Sequence, residues 1–404
     1  MLKNRRILIG IGGGIAAYKV CTLISQLFQL GAEVRVILTS TAQQFITPLT
    51  VATLSRHQAY TDQDFWQPIY QRPLHIELAE WADLYLIAPL TANTLGKLAH
   101  GLADNLLTNT VIASRCPILL APAMNTEMWT SPTVQKNWQT ILADKRYWTI
   151  EPGSGLLACD RIGIGRMAEP STIVNAIECF FYSGGKRDLI NKNILISAGG
   201  TREYLDPVRF LGNPSTGKMG VALALAAASR GARVTLVHGV MAENLLPHHP
   251  QIKLVPVVTA EEMATNLSNL FTQTDWLIMC AAVADVKPLN YYPDKIPKQE
   301  LSLNLPLTPV PDIVAKLSKN KSSEQKIVGF AAQTHDIVPC AWDKLQRKKL
   351  DIIAANPVNQ AEAGFASNFN QGFLLDSTGR QQTIESCSKL EFAHRLLDFT
   401  GQYP

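Results

Sequence analysis

The run RRILIGIGGGIAAYK, residues 5 to 19, decides the fold: a short apolar stretch of strand character breaks into three glycines and resumes as a helix. Strand, glycine turn and helix in that order open a parallel sheet covered by helices. The basic residues Lys3, Arg5 and Arg6 before the apolar stretch imitate a signal peptide, but the glycines interrupt it and Lys19 follows soon after. A strand and its helix are the better reading.

Working outward, the same alternation continues through the first half, with strand-like runs at Ile7 to Gly10, Val34 to Leu38, Leu84 to Ala88 and Ile118 to Ala121. The second half repeats the plan at Ile194 to Ser197, Val234 to Val237, Trp276 to Cys280 and Asp351 to Ala354. QLGAEVRVILTS in one half parallels SRGARVTLVHG in the other, and LYLIAPLTAN parallels WLIMCAAVAD. The fold class is therefore α/β, two doubly wound Rossmann-like domains with mainly parallel sheets. The boundary is expected in the polar, glycine-bearing stretch SGGKRDLINKN, giving domains 1–182 and 193–404 around a linker at 183–192.

Composition narrows the function classes. The 404 residues are 47% hydrophobic and 17% charged, enough material for two or three ordinary domains. A net charge of +4 over that length is too dispersed for a nucleic-acid or membrane footprint, so small-molecule partners are expected. The most apolar later run, Val221 to Ser229, is closed by Arg230 well short of a bilayer span. Seven scattered cysteines without a CxxC spacing suit a reducing cytoplasm rather than zinc or dithiol chemistry.

The glycine turn places backbone N–H groups at a helix start, where a phosphate can bind. It departs from the dinucleotide fingerprint GxGxxG: counting from Gly10 and Gly12, the third position is Ile15. The second strand ends in Thr39 and Ser40 rather than in an acid, and hydroxyls suit a terminal phosphate better than a ribose diol. FMN outranks NAD on these residues, and a tight turn that only packs helix on sheet explains the same glycines.

Further motifs then carry a resemblance. GGGIAAYK, FITPLT, HIEL before WADL, IAPLTANTLGKLAHGLADNLL, APAMN, and LACDRIGIGRM followed by EP together resemble the homo-oligomeric flavin-containing cysteine decarboxylases, in their phosphopantothenoylcysteine decarboxylase branch, over residues 5 to 175. The resemblance implies FMN held by Gly12, Gly13, Ile15, Ala16, Thr39, Thr91, Ala92 and Asn93. It implies His75 as the substrate-side catalytic histidine, Asn125 at the departing carboxylate and Cys159 as the acid that donates the last proton. A cysteine carboxyl has no electron sink beside it; oxidising the thiol to a thioaldehyde with a flavin supplies one. Family members commonly have glycine after the cysteine, whereas Asp160 stands here. A neighbouring carboxylate tends to raise a thiol pKa, which suits an acid.

In the second half, ISAGGTREYLDPVRFLGNPSTGKMG contains GNPSTGK, formally the start of a P-loop. Met219 follows where a Ser or Thr would ligate magnesium, which argues against that reading. With CAAVAD, PDKIPKQ, PDIVAKL, VGFAAQT and KLQRKKLD, the stretch resembles the phosphopantothenate-cysteine ligase family over residues 193 to 395. The resemblance implies CTP as nucleotide, contacted by Ala281, Asp285, Lys295, Lys298, Pro311, Asp312, Ile313, Val314, Phe330, Lys344 and Lys348, with Asn213 and Lys295 at the reacting acyl group. Mg2+ is implied by the triphosphate, without an assigned ligand set. The expected partners are 4'-phosphopantothenate, cysteine and CTP, in a homo-oligomer with trimeric flavin domains and dimeric ligase domains.

Where the ligase family usually carries a KxKK run, this chain reads Lys295, Ile296, Pro297 and Lys298; Pro309, Val310 and Gln333 depart from the pattern too. His248 and His249 read as a loop rather than a metal site. Two other functions compete: an NAD-dependent reductase on two Rossmann-like domains, and a non-catalytic regulator derived from the decarboxylase fold. A bound visible chromophore separates the first, and His75, Asn125 and Cys159 together speak against the second.

Overall fold

The computed structural model describes residues 1–302, 304–357 and 367–404. The chain divides into two compact units, Met1–Phe181 and Tyr182–Pro404. In the first, strands β1 (Arg6–Ile11), β2 (Glu33–Leu38), β3 (Ala59–Thr61), β4 (Leu84–Leu90), β5 (Ile118–Pro122) and β6 (Tyr147–Thr149) form one parallel sheet in the order 3-2-1-4-5-6. An antiparallel ribbon, β7 (Gly153–Leu156) and β8 (Ile162–Arg166), follows it.

The sheet is buried on both faces, which is why its strands read as unbroken apolar runs. Side chains alternate across it: Ile7, Ile9 and Ile11 enter one apolar layer with Val20, Leu23 and Leu27, and Leu8 enters the other with Leu106 and Leu107. Val20, Leu23, Ile24 and Leu27 repeat at helical spacing along Ala17–Gln29, so that helix presents one buried stripe to the sheet. Each such side chain, fully buried, contributes about 1.5 to 3 kcal/mol.

The second unit carries β9 (Asn193–Ala198), the ribbon β10 (Arg202–Tyr204) and β11 (Phe210–Gly212), β12 (Arg233–His238), β13 (Ile252–Pro256), β14 (Trp276–Met279), the ribbon β15 (Val286–Pro288) and β16 (Leu307–Pro309), β17 (Lys326–Gln333), β18 (Ile352–Pro357), β19 (Phe369–Asp376) and β20 (Gln381–Ser388). Its sheet runs 13-12-9-14-17-18-19-20, parallel as far as β18 and antiparallel in the last two pairs. The first six of these strands reproduce the order of the first unit. In both sheets the strand order reverses beside the first strand, between β1 and β4 and between β9 and β14. A crevice opens there at the carboxyl ends of the strands.

The stretch 183 to 192, expected as a linker, carries contacts of its own. Leu189 is buried and its N–H donates to the Arg230 carbonyl at 3.0 Å. Asp188 pairs with the buried Arg230 guanidinium at 2.5 Å, and Arg230 also meets Asp398 at 2.7 Å. The Tyr182 hydroxyl donates to Asp398 at 2.8 Å, and its ring stacks on His394 with centroids 4.5 Å apart.

Candidate active sites

In the first unit the crevice is built from two adjoining turns. Gly12 donates its N–H to the Pro89 carbonyl at 3.2 Å, bringing the turn after β1 against the one after β4. Gly13 is required by close approach: a Cβ there would lie 2.4 Å from Cβ of Thr41. Among the described residues, no acceptor engages the N–H groups of Gly13, Gly14, Ile15 and Ala16, which cluster at the start of the helix Ala17–Gln29. Free N–H groups at a helix start hold an anion. Ile15 is exposed beside them.

Thr39 closes the turn from below. Its hydroxyl donates to the Ile11 carbonyl at 3.1 Å and accepts from Ala42 N–H at 3.2 Å, so it is engaged by the backbone and fixes the segment that meets Gly13. Thr91 caps the helix Ala92–Ala99 by accepting from Thr94 N–H at 3.3 Å, which sets Ala92 and Asn93 in its first turn.

The ribbon β7–β8, whose connecting turn carries Cys159, packs through β8 on the segment that flanks Asn125. Thr126 Oγ1 donates to the Ile164 carbonyl at 2.8 Å and Met124 N–H to the Gly165 carbonyl at 3.0 Å. Contact is so close that a Cβ on Gly165, at φ +132°, would lie 2.0 Å from the Met124 carbonyl. Cys159 is exposed at the turn Leu157–Arg161 that joins the two strands. Asp160 there has φ +61°, the left-handed conformation. Glycine suits such a position at no steric cost, and aspartate is among the few other residues that tolerate it, which accounts for the departure. Asn125 Oδ1 accepts from Met128 N–H at 2.8 Å, leaving its Nδ2 donors for another partner. His75 packs edge-on against Phe65, centroids 5.4 Å apart, and its buried Nδ1 has no hydrogen-bond partner in the protein. That leaves a ring nitrogen with hydrogen-bonding capacity to spare.

In the second unit the crevice is a cavity of about 570 Å³. Asn213, Ala281, Asp285, the turn Pro311 to Val314, Phe330, Lys344 and Lys348 all line it. Asp312 caps the helix Ile313–Lys319 through Ala315 N–H at 3.1 Å and pairs with Lys348 at 3.0 Å. Burial alone would raise the Asp312 carboxyl; the Ala315 donor and Lys348 outweigh it and hold the pKa below the usual range. Lys344 donates to the Phe330 carbonyl at 2.7 Å, and burial, helped by Lys348, pushes its pKa down. Asn213 Nδ2 donates to the Val283 carbonyl at 3.1 Å. Lys295 and Lys298 are exposed on a loop after β15 and are not among the lining residues.

The cavity also holds residues that the sequence did not single out. Lys218 and Lys389 line the end nearest the helix Lys218–Ser229, with Cys280 and Asn370. Lys218 donates to Asn368 Oδ1 at 2.8 Å and Lys389 to the Ser367 carbonyl at 2.6 Å. Burial, reinforced by Lys218, lowers the Lys389 ammonium to about 8, and burial pushes the Cys280 thiol up to about 12. Lys218 lay within the GNPSTGK motif; nothing in SKLEF marks Lys389, whose burial arises only in the fold. GNPSTGK itself follows the β10–β11 hairpin rather than a strand of the central sheet, so it is not a P-loop. Among the described residues no group of three or more His, Cys, Asp or Glu side chains is placed to hold a metal ion, and no helix is long and apolar enough to cross a membrane.

Comparison with known proteins bears on both units. Residues 1–181 match the Flavoprotein family and residues 189–403 the DNA/pantothenate metabolism flavoprotein C-terminal domain family. The chain is 42% identical over 397 residues to the coenzyme A biosynthesis bifunctional protein CoaBC of Bacillus subtilis (strain 168), covering 98% of this chain and 97% of that one. It is 42% identical over 399 residues to the protein so described in Vibrio cholerae serotype O1 (strain ATCC 39315 / El Tor Inaba N16961), covering 98% of each. The crystal structure of the C-terminal domain of a coenzyme A biosynthesis bifunctional protein CoaBC is similar at 32% identity and a TM-score of 0.45, covering 52% of this chain and 95% of that one.

Proposed function

The chain belongs to the family of coenzyme A biosynthesis bifunctional proteins, and from that premise we propose that its second unit joins 4'-phosphopantothenate to cysteine with CTP and its first unit decarboxylates the product to 4'-phosphopantetheine with FMN. The observation that carries this reading is the convergence on one cavity of Asn213, Ala281, Asp285, Asp312, Phe330, Lys344 and Lys348, drawn from motifs scattered along the second unit.

In the ligase reaction the carboxylate of phosphopantothenate attacks the α-phosphorus of CTP, forming the acyl-cytidylate and releasing pyrophosphate. The cysteine amine then attacks the acyl carbon, loses a proton and expels CMP. Lys344 and Lys348 meet the nucleotide, while Asn213 and Lys295 stabilise charge at the acyl group. Lys298 contributes to binding. Mg2+, if bound with the triphosphate, would neutralise its charge, and Asp285 is the cavity carboxylate that would face it, since Asp312 is engaged by Ala315 and Lys348.

In the first unit the free N–H groups of Gly13 to Ala16 fit the phosphate of FMN, and Thr91, Ala92 and Asn93 form the neighbouring wall. FMN, when bound, would supply a reversible two-electron acceptor that oxidises the substrate thiol to a thioaldehyde, whose C=S is the electron sink for decarboxylation. The Asn125 Nδ2 donors are directed to the substrate carboxylate because its Oδ1 is already engaged. His75 offers its unpartnered Nδ1 to the substrate, and Cys159 holds the proton that completes the product.

We assign trimeric packing to the flavin units and dimeric packing to the ligase units. The exposed apolar residues Phe210, Leu289, Tyr291 and Leu307, on or beside the ribbons of the second unit, support the latter. Seven free cysteines support a reducing cytoplasm. The test is one product assay with 4'-phosphopantothenate, cysteine and CTP on the FMN-loaded chain. Phosphopantetheine, CMP, pyrophosphate and carbon dioxide are all expected. Pyrophosphate without carbon dioxide rejects the first-unit assignment, and faster turnover with ATP than with CTP rejects the nucleotide.

A further inference from the structure

The carboxylate of Asp206 is fully buried, 0% exposed, in the turn between β10 and β11, where an unpartnered charge would not be tolerated. Oδ1 accepts from the N–H groups of Val208 and Arg209, each at 2.8 Å. Oδ2 accepts from Arg209 Nη1 at 2.6 Å and from the N–H of Ile296 at 3.3 Å. Burial by itself would raise this carboxyl; the four donors outweigh it and hold the pKa below the usual range, so the group is a carboxylate at neutral pH.

One of those contacts, from Ile296, reaches across ninety residues of sequence to the loop that carries Lys295. Arg209 Nη1 also donates to the Ile296 carbonyl at 3.0 Å, and Tyr292 N–H donates to the Leu205 carbonyl at 2.9 Å. The loop is thus fastened on both sides of Lys295, whose own side chain is left exposed. The same hairpin runs out through β11 into Asn213 on the cavity wall. A lysine ammonium rides on a flexible four-carbon stem, so its delivery to a reacting centre depends on where its backbone is held.

We propose that Asp206 is a positioning residue of the ligase reaction: through Arg209 and Ile296 it fixes the backbone of Lys295 relative to Asn213. This rests on the reading that Lys295 and Asn213 act at the acyl group. Asp206→Asn is nearly isosteric, but its amide nitrogen presents a donor where Ile296 N–H and Arg209 also donate.

The test compares pyrophosphate release by the full-length chain and by Asp206→Asn, Lys295→Gln and the double variant, with melting temperatures alongside. Lys295→Gln is expected to lower kcat about 100-fold. Asp206→Asn should lower kcat about 10-fold with KM for CTP within about twofold, the loss expected of a misplaced group. The double variant should be no slower than Lys295→Gln alone, because a misplaced lysine that is absent costs nothing more. Multiplicative defects, near-normal turnover of Asp206→Asn, or a defect confined to KM overturns the proposal. Normal turnover of Lys295→Gln overturns the reading of Lys295 and the proposal with it, whereas a normal Asp206→Asn beside a defective Lys295→Gln overturns the proposal alone. Ile296→Pro deletes the N–H donor and keeps the carboxylate with Arg209, so it decides the matter if Asp206→Asn does not fold. The same loss of kcat is expected, and a folded Ile296→Pro with unaltered kcat overturns the proposal.

Discussion

The two units share a strand order and differ most in the first connection after the first strand. In one it is the short turn from Gly12 to Ala16, with free backbone N–H groups. In the other it runs from residue 199 to 217 and includes the β10–β11 hairpin, with Asp206, Arg209 and Asn213 on or just beyond it. The same crevice is therefore lined by main chain in the first unit and by side chains in the second. A flavin phosphate needs only donors in a fixed arc, whereas acyl transfer needs charges delivered to a centre that changes along the reaction. Substitutions should consequently act differently in the two crevices.

The largest effect is expected at Cys159, the side chain proposed to hold the final proton in the first unit. Cys159→Ser should lower phosphopantetheine formation by about 10²- to 10⁴-fold while carbon dioxide is still released in a single turnover, since a hydroxyl is a far weaker acid than a thiol. Normal steady-state turnover would remove the cysteine from the mechanism. Next comes the contrast between two lysines on one loop. Lys295→Gln should cost about 2 to 4 kcal/mol of transition-state stabilisation, whereas Lys298→Gln should raise KM for CTP with kcat little changed. Equal defects at both positions would erase the distinction.

In the main-chain crevice the sensitive change is an added atom. Gly13→Ala places a methyl 2.4 Å from Thr41 Cβ, and the overpacking should cost about 1 to 3 kcal/mol in the first unit. Visible flavin absorbance per chain should fall, and an equally yellow, equally stable variant would break the account of the turn. The smallest effect concerns His394 in the second unit, fully buried with neither ring nitrogen bonded. Burial, helped by Arg230, lowers its pKa from 6.5 to about 3. The unfolded chain then binds the extra proton between those limits, so stability is intact above about pH 6.5 and falls as pH drops through that window, by up to about 1.4 kcal/mol per unit. His394→Phe keeps the ring against Tyr182 and should flatten this loss by about 2 kcal/mol between pH 7.5 and 5. Urea titrations at the two pH values measure it, and an unchanged slope would assign the acid sensitivity to another group.

Much of the fold was legible because a sheet covered on both faces leaves long apolar runs, as at Leu84–Leu90 and Trp276–Met279. The edge was not. Gln381–Ser388 is largely polar and exposed, so β20 carries no such signal and its antiparallel pairing with β19 comes from tertiary context. Short strands such as Ala59–Thr61 and Tyr147–Thr149 escaped for want of length. The cavity residues were legible through motifs, and the structure gathers those motifs around one space. Asp206 carries no local signal of its role, because an aspartate before proline reads as an ordinary turn. Its importance lies in burial and in partners ninety positions away, which no local pattern announces.

The pairing of Asp188 and Tyr182 with Arg230, Asp398 and His394 has a consequence for how such a gene can be divided. Codons upstream of the first ligase strand specify part of the ligase fold, since Leu189 is buried there and Arg230 takes one of its two carboxylates from Asp188. A stand-alone reading frame opened at the start of β9 would encode a protein with a buried guanidinium missing half its counter-charge. A division that keeps both counter-charges of Arg230 therefore has its junction upstream of codon 188.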